Sequence, residues 1–223
     1  MAFIDDLSLV IDLVILVCAV VFYTGALVWF EFRRKDAVRA YTHLRAGAVL
    51  IGILGSIIGL FAIWGELTWP INGFPTATSY DLFFFDVLTF LALLLVAFAI
   101  TVRVRLPTHF VGMFSVIIGL GVLFYGVRAY QLNLTEEPLE TLLLYLAFGG
   151  VAILVYPATL FIDWFVVGPQ VPGADPLPSP ATPNYPWLWR VLLGLFMLAV
   201  VLAGIAAVLY GVDIVWAHLA APP

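Results

Sequence analysis

Five ionisable side chains stand where long apolar runs approach their ends: Asp12, Glu66, Asp86, Asp213 and Arg128. Carried on helices they would share one layer, with Asp12 about 7 Å below the end of its run at ~1.5 Å per residue. Charge at that depth is costly unless paired, and a guanidinium fork suits carboxylates. With Trp69 and Tyr80 on the adjoining turn, the set predicts a polar pocket for a cation, a proton or a small polar ligand, tied together by Arg128. The plainer reading is that each acid reaches headgroup water and Arg128 is only a structural tie. A second constellation is His43 and His109, at corresponding ends of two runs. Two histidines on facing helices could ligate a haem b iron axially, whereas contact with the membrane interface is the simpler expectation. One Cys, three His and three Met, all scattered, do not build a zinc or copper site. No phosphate-binding loop, dinucleotide fingerprint, nucleophile elbow or metalloprotease helix is present, so no motif indicates an enzyme.

The elements that would position these groups are membrane spans. Of 223 residues, 64% are hydrophobic and 10% charged, with mean hydropathy +1.14, against roughly 25% charged in soluble domains. Six runs are long enough for the ~20 residues a crossing needs: Leu7–Phe32, Ala46–Trp69, Tyr80–Val104, Phe110–Tyr130, Leu139–Val167 and Trp187–Leu219. Backbone groups in lipid must be satisfied within the segment, so the runs predict helices. The expected fold class is all-α: one polytopic six-helix transmembrane domain over 1–223. A net charge of −5 argues against nucleic-acid binding. The expected partners are the lipid bilayer, a homo-oligomer or a larger membrane complex.

Cations set the orientation. Arg33, Arg34, Lys35, Arg39, Arg45, Arg103, Arg105 and Arg190 fall on one side and Arg128 on the other. The basic side is expected to face the cytoplasm of a cell membrane, which leaves both termini outside. The Pro-rich segment 168–186 reads as a cytoplasmic linker between helices five and six. Thr135 before Glu136, Glu137 and Pro138 reads as a helix N-cap, and Pro157 as a kink in span five. Cys18, inside an apolar run, reads as a small buried hydrophobe. Glycines seven residues apart (Gly52 and Gly59; Gly112, Gly119 and Gly126; Gly204 and Gly211) lie on single helix stripes. Such stripes allow close backbone packing and suggest that spans two, four and six form an inner set.

One stretch carries a family likeness. The turn Thr68-Trp69-Pro70, followed by Tyr80-Asp81 and Phe85-Asp86, together with Leu132–Pro138 and Tyr156–Leu160, resembles domain-of-unknown-function family 981, a family of archaeal membrane proteins. Asp81 departs from the Asn expected after the Tyr, and 168–186 has no counterpart. The resemblance implies a multi-pass membrane fold and supplies no activity. From the residues, the favoured function is an accessory or binding protein with a carboxylate/Arg site in the outer leaflet. One alternative is a small-cation, proton or small-solute transporter, although mid-span polar residues are few. The other is a haem- or quinone-binding redox subunit, a quinone lying against Phe83, Phe84 and Phe85.

Overall fold

A computed structural model describes residues 6–68, 77–134, 138–167 and 187–220. The elements are α1 (Asp6–Arg34), α2 (Ala37–Thr68), α3 (Ala77–Arg103), α4 (His109–Leu132), α5 (Pro138–Phe161) continuing as a π-helical turn (Ile162–Val167), and α6 (Trp187–Ala220). All six helices are long and apolar enough to cross a membrane, and the described residues contain no strand. The protein is thus an all-α, multi-pass helix bundle. Segments 69–76 and 168–186, and Thr135 with its two following acids, lie outside the described residues.

Hydropathy located the spans but not their full lengths. Helix α2 begins at Ala37, nine residues before its apolar run, so Arg39, His43 and Arg45 are helical. The helix's hydrogen bonds are indifferent to side-chain polarity, and nothing between Ala37 and Ala46 breaks it. Three turns between helices end in the left-handed backbone region without glycine, at Lys35 (φ 62°), Arg105 (φ 59°) and Asn133 (φ 47°). At each the chain reverses with its last carbonyls satisfied, as where Asp36 N–H donates to Glu31 O at 3.0 Å.

Neighbouring helices pack antiparallel in a closed ring in the order α1 to α6, with α6 returning to α1 and a thin seam between α3 and α4. The glycine stripes make the tight seams. Gly52, Gly55 and Gly59 face Ala99, Leu95 and Ala92 of α3; Gly112, Gly119 and Gly126 face Thr159, Gly149 and Tyr145 of α5; Gly204 and Gly211 face Cys18 and Ile11 of α1. The glycines therefore mark close helix pairs around a ring, rather than an inner set of helices two, four and six. Each stripe packs onto an immediate neighbour, which leaves the centre of the ring to larger side chains.

Those side chains follow heptads. Along α1 the inward positions are Val10, Val14, Val17, Val21, Thr24, Val28 and Glu31, spaced alternately by four and three. On α6, Leu193, Phe196, Val200, Ala203 and Ala207 are buried in the same manner. At the end of the bundle near the α1–α2 turn, here the basic end, Phe32 packs edge-on against Phe161 and Phe165, with ring centroids 5.0 and 4.7 Å away.

Candidate functional site

Within the ring lies a partly open cavity of about 280 Å³ to which all six helices contribute. Its wall is almost wholly apolar: Val14, Val17 and Val28 from α1, Leu91 and Phe98 from α3, Phe148 from α5, Phe196 and Val200 from α6. The few polar groups on it are largely spent. Ser115 Oγ donates to the Ala152 carbonyl at 2.7 Å, and Thr159 Oγ1 to the Tyr156 carbonyl at 2.8 Å. A wall of this kind offers dispersion contact and little else, so it discriminates for hydrocarbon and against ions or water.

Polar constellations lie at the two ends. At the end where α1 begins and α6 finishes, Tyr125 Oη donates to Asp86 Oδ2 at 2.9 Å. Glu66 lies within electrostatic reach of the same phenol. Tyr145 and Tyr210 also line the cavity. Two of the acids singled out in the sequence are thus drawn together, around a tyrosine that sequence reasoning did not select.

The other members of the expected pocket go elsewhere. Asp12 is exposed, because it falls on the opposite face of α1 from the buried stripe. Arg128 is exposed and donates to Gln131 Oε1 at 2.9 Å, one turn along its own helix, and among the described residues it forms no ion pair. Asp213 lies on α6 and Tyr80 on α3; their side chains, and Trp69 altogether, are outside the described residues.

At the basic end each histidine is engaged by its own carboxylate. His109 Nδ1 lies 2.7 Å from Asp163 Oδ2, and His43 Nε2 lies 3.9 Å from Glu31 Oε1. Among the described residues no three His, Cys, Asp or Glu side chains group as a metal site. Asp163 is a tertiary helix cap. Thr108 precedes α4, but its own hydroxyl does not cap the helix. Instead Asp163, from the π-helical turn, accepts the backbone N–H of Thr108 at 2.6 Å and of His109 at 2.8 Å. It also accepts the Thr108 hydroxyl at 2.8 Å and the His109 ring. A carboxylate at a helix N-terminus satisfies orphan donors and suits the dipole. The wider π turn follows Pro157, at the point where α5 meets α4.

Sequence reasoning missed Asp163 because its donors are 54 and 55 residues away. It missed Glu31 as well, although a legible signal existed: Glu31 continues the heptad of Val10 to Val28, placing a carboxylate on the inward stripe.

No curated protein and no solved structure matches the chain. The family described as "Protein of unknown function (DUF981)" matches over residues 1–221, and the chain belongs to that family.

Proposed function

We propose that this multi-pass membrane protein, folded as a single domain, binds the hydrocarbon part of a lipid-like molecule inside its helix ring. The observation that carries the proposal is the apolar cavity of about 280 Å³ lined by all six helices. Protein interiors are otherwise close-packed. Apolar space of this size forgoes the dispersion contacts of a packed core, and a guest chain would restore them. A membrane supplies such guests in abundance, and the thin α3–α4 seam offers a lateral way in. The Asp86–Tyr125 pair with Glu66 then forms a polar rim near one end of the chain-binding space. With the basic end in the cytoplasm of a cell membrane, as the cations direct, that rim faces outside. The scarcity of polar groups on the wall favours binding over ion conduction.

The test is binding of 1-methoxytetradecane to the full-length protein in detergent, followed by native mass spectrometry and thermal melting. One bound chain and a raised melting temperature are expected. Ala207→Phe, which pushes a ring into the cavity from α6, should reduce both effects, as should Val17→Phe from α1. Absence of a bound chain, or undiminished binding in both variants, would overturn the proposal.

A further inference from the structure

We infer that Glu31 receives the polar end of the bound molecule, and that this end is an uncharged hydrogen-bond donor, a lipid alcohol. The inference rests on the cavity accepting a chain. Glu31 is only 5% exposed. Its Oε2 is buried and accepts no hydrogen bond among the described residues. The other oxygen, Oε1, lies 3.9 Å from His43 Nε2, beyond hydrogen-bond length. A carboxylate so placed carries a desolvation cost that a donor would relieve.

Glu31 is not itself on the cavity wall but stands one turn beyond it. Val28, one turn before Glu31 on the same stripe, lines the cavity, and Leu44, next to His43, lines it from α2. Helical side chains lean toward the N-terminus of their own helix. On α1 that direction runs from Glu31 back over Val28, toward the cavity's basic end. Asp163, the neighbouring carboxylate at this end, already accepts from Thr108 and His109. Glu31 is therefore the acceptor with unused capacity.

Charge selects the kind of head. An anionic head would meet the Glu31 carboxylate. A cationic head would meet Arg33, Arg34 and Lys35, which follow Glu31 closely in the chain, Arg39 being paired with Asp36 at 3.3 Å. An uncharged hydroxyl meets neither objection and donates one hydrogen bond. A site built around a buried acceptor rejects the analogue that lacks the donor far more strongly than it senses an extra methylene.

The test uses the full chain in detergent and compares 1-tetradecanol with 1-methoxytetradecane, its donor-free ether, with tetradecylamine and tetradecanoate as competitors. The alcohol is expected to bind about tenfold more tightly than the ether, as a hydrogen bond to a charged group implies. In Glu31→Leu, which removes the acceptor and keeps the side chain's bulk, the ratio should fall below about twofold. Glu31→Gln retains a carbonyl oxygen and should give an intermediate ratio; it also serves if the Leu variant does not fold. Equal binding of alcohol and ether, a ratio unchanged by Glu31→Leu, or tighter binding of the amine or the acid would overturn the inference while leaving the cavity's role intact. Binding of none of the four would remove both.

Discussion

Removing the Asp163 carboxylate should do more damage than its place near a bundle end suggests. The side chain is 12% exposed and Thr108 is fully buried. Asp163→Ala strands the N–H groups of Thr108, the N-cap of α4, and of His109, its first residue, and frees the His109 ring. A buried donor left without a partner costs about 1–3 kcal/mol, and loss of a helix cap about 0.5–2. Because water can reach part of the gap, roughly 3 kcal/mol is the expected total. At about 2–4 °C per kcal/mol for a chain of this size, the melting temperature should fall by roughly 6–12 °C. Thr108→Val, which keeps both N–H bonds and loses only the hydroxyl, should cost about 1 kcal/mol. The assay is thermal unfolding of the purified protein in detergent, followed by circular dichroism. Melting of Asp163→Ala within about 2 °C of the native protein would refute the cap. So would a larger effect from Thr108→Val, since the carboxylate's main partners would then not be the backbone.

Two further outcomes separate structural roles by the same assay. A methyl group at Gly119 would stand 2.8 Å from the Gly149 carbonyl and 2.9 Å from Ile153, whereas one at Gly121 meets nothing within 4 Å; Gly119→Ala should therefore destabilise by about 1–3 kcal/mol, and Gly121→Ala should stabilise by about 0.5–1. Tyr125→Phe, which takes the hydroxyl from Asp86, should cost about 1–2 kcal/mol, while Arg128→Ala, an exposed change, should stay within about 0.5; a costlier Arg128→Ala would return Arg128 to the centre of the acidic layer.

What the sequence made legible was everything governed by local periodicity and transfer energy. Six apolar runs became six helices, and the Gly112, Gly119 and Gly126 stripe became a real close approach, here to α5. Glycine spacing says that a backbone comes near, but not which backbone, and so it misled about the inner set. The acidic layer was half legible for a related reason. Depth along each helix can be counted in residues, but facing cannot be counted across helices whose rotation is unknown. Asp86 and Glu66 converge on Tyr125, whereas Asp12, at a similar depth, points outward because Val10 and Val14 claim the inward face. Arg128 looked like the natural counter-ion by charge alone. Its neighbour Ala129 is buried at 2% exposure, and that phase turns the guanidinium outward to Gln131. Asp163 was illegible in principle, since a tertiary cap has no local spacing.

The seams of the ring are unequal, and the inequality bears on how such a cavity could exchange its contents. Helices α2 and α3, and α4 and α5, are each joined by three glycines whose missing side chains let backbones meet. The tight seams follow the glycines and not the shortness of the turns, since the pairs joined at Lys35–Asp36 and Val104–Thr108 are looser than α2–α3 and α4–α5. The α3–α4 pair has a short turn but no glycine contact, and large side chains on both sides, Phe84, Leu88 and Leu91 against Ile118 and Val122, line the cavity. Side chains of that sort can change rotamer without breaking a hydrogen bond, whereas parting a glycine seam means separating packed backbone. In lipid, where no hydrophobic force holds helices together, the difference in packing is most of the difference in stability. The seam with the poorest packing is therefore the one that would open first, and the cavity would exchange its contents sideways with the bilayer rather than through either polar end.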